Sequence, residues 1–352
     1  MTEARLEELL DAVVAQGGSD LHLSPGSPPI MRVSDKLIPL TTYDLLTGEQ
    51  TEQMLKRIVP PERLERFAKD ESVDFSYAHK DAGRFRVNGY RVQGVCAIAL
   101  RLIQKEIRNF ADLNLPSVLE SFTGRPQGFF LVVGPVGQGK STTLAAMIER
   151  INETRAEHVL TIEDPIEYLF TPKRSLIHQR EVHIDTPDFH TALQAAFRED
   201  VDVLMVGEMR DYETISAAVT AAETGHLVFS TLHTNNAAQT IDRIIDMFPA
   251  EQQPQVRVQL AGSLAGIFSQ RLVPRISGGL IPAYELLINN NAVANLIREA
   301  RTHEISAVVQ TSSQEGMIDM DRSLAELVRR GEVAAEEAVL HAVDPKTFER
   351  YL

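Results

Sequence analysis

The chain carries Gly134-Pro135-Val136-Gly137-Gln138-Gly139-Lys140-Ser141, which fits G-x-x-x-x-G-K-[ST]. These residue types suit the capture of phosphate. Glycines let backbone N–H groups turn inward toward an anion. The start of a following helix adds a favourable dipole. Lys140 would reach the β- and γ-phosphates of a nucleotide, and the Ser141 hydroxyl would ligate Mg²⁺. Thr142 completes the binding stretch. A glycine-rich turn that only joins two elements has no need of the Lys-Ser ending. The flanks agree: residues 128–133 (GFFLVV) spell a short buried strand, and Leu144, Ala145, Met147, Ile148 and Ile151 fall on one helical stripe.

Three further stretches could complete a nucleotide site. Thr161-Ile162-Glu163-Asp164 places two carboxylates at the end of a predicted strand, where an open parallel sheet faces its ligand crevice. Glu163 could orient or deprotonate a water there; standing alone, the stretch reads equally as a polar turn. Residues 203–211 (VLMVGEMRD) form an apolar strand ending in an acid, the general form of a Walker B element. Gly207 occupies a position where many such ATPases have Asp, so the Mg²⁺ role falls to Glu208, which could also activate the attacking water. Residues 225–234 (GHLVFSTLHT) end a strand with hydroxyls and His233, groups able to sense a γ-phosphate by hydrogen bonding. Zinc is disfavoured, because no cysteine lies nearby.

Positioning these groups requires an α/β architecture. Strands are expected at 128–133, 158–162, 203–206, 227–230 and 282–288, alternating with helices, which implies a mainly parallel sheet. Thr186-Pro187-Asp188 should open one helix, with Pro at its first position. Another should run from Asp211 to Thr224. From about residue 251 the chain reads as nearly all helical. The first hundred residues differ. A helix at 3–15 is followed by strands at 19–23 and 30–40, helix over 48–69 broken at Pro60-Pro61, and strands at 73–77 and 83–102. The expected division is an α+β domain at 1–103, a linker at 104–117 containing Lys105, and an ATPase domain at 118–352.

Composition narrows the function. The chain has 352 residues and a net charge of −14, from 35 basic and 49 acidic side chains. That balance weighs against a nucleic-acid partner, and a DNA translocase is disfavoured. No apolar run approaches the ~20 residues that span a bilayer, and the start does not read as a signal peptide. The single cysteine, Cys96, rules out an intramolecular disulfide and a multi-cysteine metal site. Its apolar neighbours suggest a buried structural thiol.

The order and wording of these motifs resemble the secretion-ATPase superfamily and, within it, the PilT-type retraction ATPases of type IV pili. Ser19-Asp20-Leu21-His22-Leu23 and Gly83-Arg84-Phe85-Arg86-Val87-Asn88 are similar to the family's N-terminal domain. Residues 163–168 (EDPIEY) resemble its Asp box, residues 207–211 its Walker B and residues 225–249 its His box. Residues 292–299 (AVANLIRE) resemble the motif associated with retraction. Val136 and Gln138 stand where the family commonly has Thr and Ser. The resemblance implies a PAS-like N-terminal domain, a RecA-like C-terminal domain and a homohexameric ring hydrolysing ATP with Mg²⁺. It also implies that Arg86 and Arg101 complete the nucleotide site from the N-terminal domain. The implied partner is an inner-membrane pilus platform protein, reached from the cytoplasmic face. An accessory ATPase working beside a second retraction motor, or a low-turnover nucleotide-binding scaffold, are the alternatives. The four-cysteine zinc element usual in assembly ATPases is excluded by the cysteine count.

Overall fold

The computed structural model describes residues 5–33, 36–79, 83–103 and 106–352. Residues 3–4 of the expected first helix, 34–35 of the expected 30–40 strand and 104–105 of the expected linker, Lys105 among them, lie outside the described residues. The chain divides into two compact units, residues 1–106 with 165–169, and residues 107–164 with 170–352.

The first unit is built on a six-stranded sheet. Its strands are β1 (Asp20–Leu23), β2 (Ile30–Val33), β3 (Lys36–Pro39), β4 (Ser72–His79), β5 (Gly83–Val92) and β6 (Val95–Ile103). They lie in the order β3-β2-β1-β6-β5-β4 with all neighbours antiparallel. The strand expected over 83–102 is a hairpin, because Gln93 and Gly94 both take positive φ, 51° and 82°, as a two-residue turn between right-twisted strands requires. Alternation sets the faces of β5. Phe85 and Val87 enter the core with Leu9, Leu10 and Phe75, while Arg84, Arg86 and Asn88 fall on the other side. Helix Gly48–Ile58 starts with a Thr47/Gln50 capping box and gives way to helix Pro61–Asp70, since Pro60 and Pro61 cannot continue a helix. Cys96 is buried, and burial pushes its thiol up to about 11, consistent with an inert structural thiol.

The second unit holds a seven-stranded sheet of β7 (Gly128–Val133), β8 (His158–Glu163), β9 (Leu176–Glu181), β10 (Val203–Val206), β11 (Leu227–Leu232), β12 (Leu264–Pro274) and β13 (Leu280–Ile288). The order is β13-β12-β7-β11-β10-β8-β9. Every pair is parallel except the β12–β13 hairpin. Every residue of β7, β10 and β11 is buried, as expected of parallel strands covered on both faces.

Three expectations need correction. The chain beyond 251 is not nearly all helical: helix Gln253–Ser263 runs directly into β12, beside β7. A continuous apolar run such as Leu264-Ala265-Gly266-Ile267-Phe268 carries no period that separates strand from buried helix. Gly266 marks the strand in hindsight, since a Cβ there would lie 2.7 Å from the Leu287 carbonyl oxygen. Second, Pro187 is not the first helical residue. Asp188 is the N-cap, accepting from the Thr191 N–H, and the helix is Phe189–Ala196. Third, the spacing within residues 292–299 puts Ala292, Val293, Leu296 and Ile297 on one apolar stripe, but helix Asn291–Arg298 buries Val293, Ala294, Leu296 and Ile297 and leaves Ala292 exposed. The rest of the C-terminal region is helical, in short segments that include Met320–Arg329 and Pro345–Tyr351.

Candidate nucleotide site

The C-terminal ends of β7, β8, β10 and β11 meet along one edge of the parallel sheet, because they pair in register. Val133 leads into the glycine loop, Glu163 ends β8, Val206 precedes Gly207-Glu208, and Leu232 precedes His233. One edge therefore gathers the motifs that lie apart in sequence.

The loop folds as its residue types require. Gly137 and Gly139 take φ of 79° and 75°, a left-handed conformation that costs other residues energy. Helix Lys140–Thr154 starts immediately afterwards, which puts its unpaired N–H groups at the loop. Lys140 is buried, and its ammonium donates to the carbonyls of Gly134 at 2.9 Å and Pro135 at 2.8 Å. Ser141 is exposed at the first turn.

Lys140 also lies 3.3 Å from His233 Nδ1. An ammonium can only donate, so Nδ1 accepts and the proton of the neutral ring sits on Nε2. Burial, followed by the Lys140 charge, holds His233 below its ordinary value, which favours that neutral tautomer near pH 7. Nε2 faces Glu208 at 3.8 Å, and the other oxygen of Glu208 is paired with Arg210 at 2.6 Å. Lys140, His233, Glu208 and Arg210 thus form a chain of contacts across three motifs. Arg210 is a functional residue that the sequence motifs do not single out; its place two residues after Glu208 is the one signal for its role.

Gly207 has a packing reason. A Cβ there would lie 3.3 Å from the Ile162 carbonyl oxygen, so the turn after β10 sits close against β8. The β11 hydroxyls hold that turn from the other side. Ser230 donates to the Val206 carbonyl at 2.8 Å and Thr231 to that of Gly207 at 2.7 Å. They brace the backbone, contrary to the expectation that they are poised for phosphate. Glu163 is buried and accepts from Thr161 Oγ1 at 2.7 Å and Gln179 Nε2 at 3.2 Å. These two contacts orient its carboxylate.

Arg86 and Arg101 belong to the first unit, where they are direct cross-strand partners on β5 and β6. Arg101 Nε donates to Asp20 at 2.8 Å, and the Arg101 side chain is 71% exposed. Arg86 pairs with Glu167 at 3.4 Å. His22, on β1, keeps an unpartnered Nε2 among buried atoms.

The loop offers a hydroxyl oxygen, that of Ser141, and oxygen is the donor type Mg²⁺ takes. Among the described residues no group of three or more His, Cys, Asp or Glu side chains could hold a metal. Mg²⁺ needs few protein ligands, because substrate phosphates and water fill most of its shell; the Ser141 hydroxyl is exposed at the start of the helix. Also among the described residues, no helix is long and apolar enough to cross a membrane.

Comparison with known proteins agrees with this geometry. The family model for type II/IV secretion system proteins matches residues 3–316. The type IV pilus retraction ATPase PilT of Pseudomonas aeruginosa is 43% identical over 343 residues, covering 97% of this chain and 99% of that protein. A twitching motility protein of Neisseria gonorrhoeae is 45% identical over 311 residues, covering 88% of this chain and 83% of its own length. The crystal structure of the pilus retraction motor PilT with bound ADP superposes with a TM-score of 0.92 at 44% identity, covering 99% of this chain and all of that one. The chain belongs to the type II/IV secretion system protein family and, within it, to the PilT-type ATPases.

Proposed function

We propose that this chain is the motor of type IV pilus retraction: a homohexamer that hydrolyses ATP and drives a platform protein at the inner face of the cell membrane. The observation that carries the chemistry is the convergence of Lys140, His233 and Glu208 at one sheet edge, beside a glycine loop and a helix N-terminus. The phosphates of ATP would replace the Gly134 and Pro135 carbonyls as partners of Lys140. The N–H groups of residues 134–142 would cradle them. Ser141 and Glu208 would hold Mg²⁺, whose charge offsets that of the phosphates. Glu163, fixed by Thr161 and Gln179, orients the attacking water, and Glu208 takes its proton. His233 reports the γ-phosphate through its link to Lys140. Arg86 and Arg101 act on the nucleotide of a neighbouring subunit, where an arginine stabilises the charge of the transferring phosphoryl group. In this reading residues 1–103 form the N-terminal domain and 118–352 the ATPase domain, with residues 104–117 as the hinge that turns hydrolysis into domain rotation. Polar residues of the 292–299 stretch, Arg298 and Glu299, pass that motion to the load.

The test is steady-state ATPase activity of the purified protein and of Lys140→Ala. Turnover by the wild type and its loss in the variant are expected. Hydrolysis by Lys140→Ala at the wild-type rate would remove the site assignment.

A further inference from the structure

β12 does more than extend the sheet. It runs parallel to β7 as far as the pair Ser269↔Val133, where β7 ends. β12 continues for five more residues, paired on its other side with β13 up to Pro274↔Leu280. Along residues 270–272 the edge that faced β7 has therefore lost its strand neighbour, and the glycine loop lies there instead.

Gln270 fills this junction. Its side chain is 3% exposed. Its Nε2 donates to the Gln138 carbonyl at 2.6 Å, and its Oε1 accepts from Thr143 Oγ1 at 2.6 Å. A carbonyl can only accept, so the Gln138 contact fixes which end of the amide is which, and the Thr143 hydroxyl must then donate. One amide thus ties the crest of the loop to the first turn of the helix that follows it. Gln138 returns the link: its Oε1 accepts from the Leu272 backbone N–H at 2.6 Å, so a side chain stands in for the missing strand. Two glycines of the loop are shaped by the same residue. A Cβ on Gly134 would collide with the Gln270 carbonyl oxygen, and one on Gly139 would come within 2.9 Å of Gln270 Nε2.

We propose that Gln270 is a positioning residue of the nucleotide site, holding the phosphate loop in its binding shape from behind. The inference rests on the assignment of residues 134–142 as the nucleotide loop. Gln270 touches no substrate in this role. It acts through the Gln138 carbonyl and Thr143, on either side of the Gly139 and Lys140 N–H groups. A loop freed from this clasp would have to be ordered by the nucleotide itself, which weakens binding more than it slows the chemical step.

The experiment compares the wild type with Gln270→Met, which keeps the volume but not the hydrogen bonds, using a fluorescent ADP analogue for binding and ATP for kinetics. Because the nucleotide must then order the loop itself, ADP affinity should fall about tenfold. KM for ATP should rise by more than kcat falls. Thr143→Val should weaken binding less. The double variant should lose less than the product of the two fold-changes, because both break one clasp. Lys140→Ala is measured alongside. If Lys140→Ala loses ADP while Gln270→Met binds like the wild type, the positioning role fails and the nucleotide site stands. If both bind like the wild type, the site assignment and the inference fall together. Should Gln270→Met not accumulate, Gln138→Ala, at an accessible position, removes the reciprocal link. Weaker ADP binding supports the clasp, and unchanged binding overturns it.

Discussion

Replacing Glu285 by glutamine should make the protein more stable at alkaline pH. Glu285 lies on β13 and is 8% exposed. Its Oε1 accepts from the Ala237 backbone N–H at 2.7 Å, at the start of helix Ala237–Asp246, just beyond His233. Burial pushes the carboxyl from its ordinary 4.5 up to about 7; the Ala237 N–H opposes the rise, Asp319 adds to it, and Arg271 opposes it. The folded state thus holds this proton more tightly than the unfolded chain. The resulting stabilisation is fully present below about pH 4.5 and is lost as pH rises through about 7. At about 1.4 kcal/mol per pH unit, the gap between the two values is worth about 3 kcal/mol. Most of that should disappear from the wild type between about pH 5 and about pH 8.5. Glutamine cannot ionise, has nearly the same shape and can still accept from Ala237. Glu285→Gln should therefore resemble the wild type at the acid end and exceed its stability by roughly 2–3 kcal/mol at the alkaline end. Urea unfolding followed by circular dichroism at both pH values measures this. Equal losses of stability in the two proteins across that range would refute the assignment of the proton to Glu285.

Glu208→Gln should still bind ATP but turn it over ~10²–10⁴-fold more slowly, the usual contribution of a general base; loss of binding in a folded variant would make Glu208 a binding residue instead. Arg86→Ala should bind nucleotide yet hydrolyse it slowly, and mixing it with Lys140→Ala should restore activity, since some interfaces then carry both intact halves. Failure of rescue in rings shown to be mixed would count against an arginine acting between subunits.

The site was legible where chemistry fixes residue types locally. The Gly134–Ser141 spacing, the acid after an apolar strand at Glu208 and the histidine after another at His233 each follow from a local requirement. The parallel sheet was legible for a related reason: strands buried on both faces spell continuous apolar runs, as in β7 and β10. What escaped depends on long-range pairing. β12 was hidden because its run has no distinguishing period, and β9 because an edge strand, here Leu176-Ile177-His178-Gln179-Arg180-Glu181, alternates only weakly. With β12 went Gln270, which lies more than a hundred residues from the loop it contacts. The bracing hydroxyls of Ser230 and Thr231 were visible as residues, but their direction toward β10 depends on which strands lie side by side.

The most direct measurement is pilus imaging in cells that lack this gene, complemented with the wild-type chain or with Lys140→Ala at equal protein level. The wild type should restore cycles of extension and retraction. Lys140→Ala should leave pili that extend and persist, because the motor cannot use its nucleotide. Normal retraction in cells carrying only Lys140→Ala would contradict the claim that ATP hydrolysis at this loop drives it.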